Sequence, residues 1–406
     1  MIGKKPYLLY NKIQKYEWGT RDDKAFIPKF LGIPAEPDVP YAELWIGAHP
    51  SASSEIETDE GKIPLHQAIQ MYPKEILGAY VAGKFNNELP FLLKILSAAQ
   101  ALSIQTHPTK EQAVRLHAKD SRHYPDNNHK PEIAIAVDSL TAIAGFRPVQ
   151  EIVANLRRYP ELSEFVGTGI VEEIAASRTD AATKVLIQQL YRDIMHRSDD
   201  TAGLTRTIEA IAARLKSVPS LSAEERQLLK QHAVYGNDVG LFSFLLFNNI
   251  RLRSGQAIFT HAGVPHAYIE GTIVECMANS DNVVRAGLTG KFKDVDTLLE
   301  IMRYDFSEYE ILNKEQQKDG VNFPIPAEEF VIAQYHKESA FSLDRDTNNR
   351  PTIILVMAGS VDLHVDDGEN SPVRFSKGEA FLIPALVSRY HVKGNSGASF
   401  FSVTVP

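Results

Sequence analysis

Short apolar runs broken by Gly, Pro and Asn fill residues 1–146, as in residues 41–50 (YAELWIGAHP) and 89–108 (LPFLLKILSAAQALSIQTHP). This punctuation predicts strands with some helix. The pattern changes at Pro148. Glu151, Ile152, Val153 and Leu156, then Val185, Leu186, Ile187, Leu190 and Ile194, recur at three- and four-residue spacing with charges between them. That is the period of helices buried through one face. Ser222 followed by Glu225, just ahead of Leu228 and Leu229, reads as a capping box. The spacing therefore predicts an all-helical insert over residues 148–235. From Gly236 the strand pattern returns, and residues 359–365 (GSVDLHV) alternate as a half-buried strand should, with Asp366, Asp367 and Gly368 as the following turn.

Residues 255–265 (GQAIFTHAGVP) and 378–388 (GEAFLIPALVS) align without a gap. Each opens on Gly, runs through strand-like residues and reaches a turn with a shared Ala. Glycine-punctuated strand pairs of this kind suit small β-barrels of the cupin, or jelly-roll, type. The expected fold is mainly β, with two such barrels and an α-helical domain inserted after the early strands of the first. Residues 1–147 would begin the first barrel, 148–235 form the helical insert, 236–325 complete the first barrel and its connection, and 326–406 form the second.

Composition trims the possibilities. Of 406 residues, 44% are hydrophobic and 23% charged, which fits a globular protein and excludes disorder, collagen-like repeats and coiled coil. The 43 Lys and Arg against 51 Asp and Glu leave a net charge of −8 with no local basic patch, so neither nucleic acid nor an anionic membrane is an expected partner. Lys94 and Ser243 interrupt the longest apolar stretches, so no segment is long enough to span a bilayer. No apolar core follows Lys4 and Lys5, so no secretory signal is expected, and the location is expected to be cytoplasmic. The single Cys276 cannot form an intrachain disulfide, and with 13 histidines any metal site rests on nitrogen and oxygen ligands.

Three segments hold the candidate chemistry. Gln105 and His107 end an apolar run and, two apart on a strand, face the same way. Glu132 follows a polar loop and opens the strand-like IAIAV, and His266 follows a Pro turn at a strand rim. Two His, one Glu and one amide oxygen from separate strands make a mixed site for zinc or another divalent ion, with positions left open for substrate or water. A His beside Pro in a loop is more often a surface turn than a ligand, and Gln is a rare ligand. The site is favoured because Glu275, Asp281, Asn282 and Arg285 crowd a mostly apolar stretch within twenty residues of His266, where polar groups need partners.

These segments resemble the type I phosphomannose isomerases. Residues 124–132 (YPDNNHKPE) carry the family's Y-x-D-x-N-H-K-P-E motif complete, and residues 266–289 carry the second, from HAY through VECMANSDNVVRAGLT. Supporting matches are residues 16–19 (YEWG), 42–50 (AELWIGAHP) and 91–108, so the resemblance runs in order from about residue 7 to residue 304. One departure is Gly290, which stands before Lys291 where the family has proline. The resemblance implies one zinc ion per chain, held by Gln105, His107, Glu132 and His266. It places Arg285, Lys130, Glu275 and Asp281 in the catalytic machinery and Lys94, Ser103, Trp18 and Lys291 near the substrate. It implies a monomer acting on a small sugar phosphate, interconverting mannose 6-phosphate and fructose 6-phosphate.

Moving a carbonyl between neighbouring sugar carbons means removing a carbon-bound proton, passing through a cis-enediolate and returning the proton. The negative charge that develops calls for a divalent ion and a fixed guanidinium, the role given to Arg285. The proton carrier needs a pKa near the working pH. Glu275, Lys130 and a water held by the metal compete for this role, with Asp281 next. Lys94 and Lys130 are expected to meet the phosphate. In the second barrel Arg389 takes the place of His266, His336, His364 and His391 are scattered, and no metal is expected. The rivals are a cupin-type metal oxygenase, which would leave Arg285 and Lys130 without purpose, and a non-catalytic sugar-binding cupin.

Overall fold

The computed structural model describes residues 1–316, 320–366 and 371–406. The chain is mainly β with one helical region. Six helices run consecutively from Val149–Arg158 to Ala223–Tyr235. Their apolar stripes share one core with Phe146 and Phe247, whose rings meet edge-on at 5.0 Å where the helices abut the sheet. The capping box forms: Ser222 Oγ accepts from Glu225 N, and Glu225 Oε2 accepts from Ser222 N at 2.6 Å.

A nine-stranded antiparallel sheet forms the centre. Its main path runs Ala257–Thr260, Glu132–Phe146, His266–Ala278, Phe91–Ala98, Glu43–Gly47, Lys12–Gln14. Three further strands branch from it: Phe247–Arg253 pairs with Glu132–Phe146, and Ile104–Thr106 pairs with both His266–Ala278 and Val284–Gly287. In the C-terminal part, sheets of seven and four strands face each other across Leu343, Val361, Phe381 and Phe400. The seven-stranded sheet turns its other face, with Ile353, Leu355 and Phe401, to the nine-stranded sheet.

The two barrels expected from the sequence are not confirmed here. Among the described residues no sheet closes into a barrel; the strands stack as layers, the seven-stranded sheet burying apolar residues on both faces and the four-stranded sheet on one. The strand Tyr7–Leu9 pairs with Ala380–Ile383 at the edge of the C-terminal sheet, since Tyr7 and Leu9 bury themselves in the core between the two sheets. The aligned segments do occupy matching places. Gly255 and Gly378 both take positive φ (75° and 90°) ahead of the strands Ala257–Thr260 and Ala380–Ile383, and the next strands begin at His266 and Arg389. Of the turn read at 366–368, Asp367 and Gly368 lie outside the described residues.

Candidate metal centre and substrate cleft

Strand alternation sorts the nine-stranded sheet into two chemistries. Leu44, Ile46, Leu93, Ile95, Val274 and Cys276 face the core shared with the C-terminal sheet. Their sequence neighbours Glu43, Trp45, Lys94 and Glu275 face the other way. Glu132 joins them, two residues from Ala134 on the strand whose small side chains pack on that same side. This polar face is buried, and it holds the candidate site.

His107, Glu132 and His266 meet at its centre, each no more than 1% exposed. His266 Nε2 lies 2.8 Å from Glu132 Oε1 and His107 Nε2 lies 3.5 Å from Glu132 Oε2. One ligand atom from each residue falls within 4.8 Å of the others. His107 Nδ1 donates to the Asn282 carbonyl at 2.8 Å and His266 Nδ1 to the Val264 carbonyl at 3.0 Å, which leaves both Nε2 lone pairs aimed at the carboxylate. Burial, then Lys130, pushes His107 down to about 4, so the ring is neutral at pH 7. Burial works against the Glu132 charge, but the charges around it, Lys130 first among them, hold the carboxyl well below its usual range. Both Nε2 atoms and Glu132 Oε2 are buried without a hydrogen-bond partner. Buried ligand atoms converging on a carboxylate call for a cation among them, and two imidazoles with a carboxylate form a donor set that suits zinc. Gln105 sits directly opposite His266 on one side and Arg285 on the other, and Tyr268 donates to Glu132 Oε1 at 3.3 Å.

The two sequence motifs clamp each other behind this centre. Asp126 Oδ1 accepts from Ser280 Oγ at 2.8 Å and Asn282 Nδ2 at 3.0 Å, while Asp126 Oδ2 accepts from the Asp281 amide at 2.7 Å. The loop so fixed carries the carbonyl that orients His107. Asp126 was passed over in the sequence because a loop aspartate reads as a turn residue; its place inside the first motif was the available signal.

A cleft of about 380 Å³ opens beside the centre, lined by Trp18, Lys94, Ser103, Gln105, Lys130, Arg285 and Lys291. Larger clefts of about 810 and 640 Å³ lie elsewhere, and no predicted site residue lines them. Lys130 Nζ is 3.5 Å from Glu132. Arg285 is half-buried and its guanidinium has no hydrogen bond or ion pair within the described residues; burial lowers its pKa from the usual arginine value. Lys291 stands exposed at the mouth, over the Tyr16 ring at 6.0 Å. Gly290 lies outside the left-handed region with open space around it, so nothing here requires glycine.

Three predicted residues read differently in place. The Lys94 ammonium is buried between Glu275, at 3.2 Å, and Glu43, at 3.7 Å, with the Trp45 ring 5.0 Å away. Burial opposes its charge, but these carboxylates raise its pKa, so its charge is matched before any phosphate arrives. Glu275 lies behind the cleft, not on its wall; burial raises its pKa, Lys94 opposes, and Glu132 and Glu43 add to the rise. Asp281 is half-exposed, outside the cleft and 3.3 Å from His49, which holds its carboxyl below the usual range. The sequence reading missed Glu43, Trp45 and Tyr235 on the cleft wall. A charged residue inside the apolar AELWIG run was the signal for Glu43, whereas Tyr235 comes from the end of the helical region and carried none.

Comparison with known proteins agrees with this geometry. The family model described as phosphomannose isomerase type I, catalytic domain, matches residues 7–149. A mannose-6-phosphate isomerase of Ogataea parapolymorpha is 37% identical over 91% of this chain and 91% of its own length. A point mutant of phosphomannose isomerase from Salmonella typhimurium superposes with a TM-score of 0.87 at 29% identity, covering 98% of this chain and 99% of that one. A mannose 6-phosphate isomerase crystallised with zinc and yttrium gives 0.84 at 29% identity, with 98% and 99% coverage. The chain belongs to the type I phosphomannose isomerase family.

Proposed function

We propose that the protein interconverts mannose 6-phosphate and fructose 6-phosphate through a cis-enediolate, with one zinc ion per chain. The observation that carries this reading is the set of unpartnered ligand atoms on His107, Glu132 and His266, next to a cleft whose guanidinium is unpaired. Gln105 is the fourth ligand in this reading, from its place opposite His266. When bound, zinc supplies a fixed positive charge that polarises the sugar oxygens.

The chain's own groups do the rest. Arg285 keeps its charge at neutral pH and, lacking a protein partner, is available to the enediolate oxygens as negative charge develops. Glu275 lies behind the cleft wall beside Lys94, so among the candidate proton carriers the one that a bound sugar meets is Lys130. Lys94 holds Glu275 in place. That leaves Lys291 at the mouth to receive the phosphate dianion. Trp18 and Trp45 wall the cleft with apolar surface that restricts water.

The test is conversion of mannose 6-phosphate followed by NMR in deuterium oxide. Fructose 6-phosphate bearing solvent deuterium at C1 is the expected product. Absence of conversion contradicts the assigned activity, and product free of deuterium after many turnovers contradicts a proton carrier that exchanges with water.

A further inference from the structure

Arg285 lies on the strand Val284–Gly287, which pairs with Ile104–Thr106 along one edge only. The register breaks between Arg285 and Gly287, so the ladder fixes Arg285 from the Gln105 side and leaves the following turn to be held by something else. That turn is strained: Leu288 is buried and takes a φ of +52°, a left-handed conformation unfavourable for a branched side chain.

The holder is the chain as it leaves the helical region. Asp238 Oδ1 accepts from the Leu288 amide at 2.7 Å and from the Gly240 amide at 2.7 Å, tying the strained turn to the start of a short 3-10 helix, Val239–Phe242. The two backbones are pressed together. A Cβ on Gly287 would lie 2.6 Å from Gly240 Cα, and one on Gly240 would lie 2.9 Å from the Leu288 amide. Such contact leaves no slack between the helical region and the turn three residues beyond Arg285. Among the described residues the guanidinium has no side-chain partner to correct its position.

We propose that Asp238 is the positioning residue for Arg285, setting the guanidinium in the cleft through the Leu288 amide. The helical region thereby reaches the reacting centre without touching substrate at this point. The inference rests on the role given to Arg285 above.

A double-mutant cycle in kcat separates this role from mere support of the fold. Asp238→Ala is expected to lower kcat about tenfold or more with KM and zinc content nearly unchanged, and Asp238→Asn, which keeps an acceptor oxygen, restores most of the loss. In the Arg285→Ala background, Asp238→Ala changes kcat by less than about twofold. An equal fall in both backgrounds, or wild-type kcat in Asp238→Ala, overturns the proposal. Should Asp238→Ala fail to fold, Gly287→Ala displaces the same turn from the other side and is held to the same non-additivity. If Arg285→Ala alone leaves kcat intact, the role of Arg285 itself falls, an outcome distinct from an additive cycle built on an Arg285→Ala enzyme that is strongly impaired.

Discussion

Lys94 and Arg285 line the same cleft with opposite surroundings. The lysine's charge is spent on two buried carboxylates, while the guanidinium faces the cleft with none. Arg285→Ala should therefore cut kcat by about 10²- to 10³-fold, the usual loss when a preorganised charge is removed from a transition state, and leave zinc content unchanged. Steady-state kinetics beside metal analysis checks this, and a small change in kcat contradicts it. Lys94→Met strands Glu43 and Glu275 in the interior and should lower stability by about 3–5 kcal/mol, read from denaturant unfolding. A loss confined to KM would instead restore Lys94 to the phosphate. At this scale the sequence shows residue type and face but not pairing. Strand spacing made the nearness of Gln105 and His107 legible, although the strand Ile104–Thr106 ends one residue before His107. That Lys94 answers to Glu43, 51 positions away, became visible only when the strands Phe91–Ala98 and Glu43–Gly47 were seen side by side.

Among the elements, the strand His266–Ala278 does the most positioning: its start carries His266 of the candidate metal centre and its far half carries Glu275. Gly271 lies where the strand breaks register, with φ +130° and a Cβ position 2.0 Å from the Ser139 carbonyl oxygen, so Gly271→Ala should shift the two halves against each other and lower the melting temperature. Helices and strands were legible because their periods differ, down to the capping box at Ser222. The grouping of strands into layers was not, because alternation marks a buried face without saying what covers it. The C-terminal histidines show this limit. His364 and His391, scattered in sequence, are cross-strand partners with rings 6.0 Å apart. His391 bonds Asp344 at 2.6 Å and also Asp366, and these carboxylates raise its pKa above the usual histidine value. A raised folded pKa gives stability that is full below the unfolded value near 6.5 and lost as pH climbs through the folded one. Wild type should therefore exceed His391→Gln in melting temperature most clearly below pH 6.5, and the gap should narrow as pH rises; a gap that widens contradicts the ion-pair account.

Across the whole molecule, three bodies of structure converge on one polar face. The C-terminal sheet backs the opposite face through Ile353, Leu355 and Phe401, and the N-terminal strand Tyr7–Leu9 closes that sheet's edge. The helical region adds Tyr235 to the cleft and Asp238 to the Leu288 turn. None of the described helices is long and apolar enough to cross a membrane. The net charge of −8 acquires a local meaning here, since Lys130, Arg285 and Lys291 gather at one cleft while Glu43 and Glu275 beside them are paired with Lys94. The claim that joins these parts is that His107, Glu132 and His266, with Gln105, exist to hold one zinc ion on which isomerisation depends. The most direct measurement titrates zinc into chelator-stripped protein and follows bound metal and fructose 6-phosphate formation on the same samples. Both should rise together and level at one zinc per chain, and neither should rise in His266→Ala. Full turnover by the stripped protein, or full zinc occupancy in His266→Ala, would contradict the account.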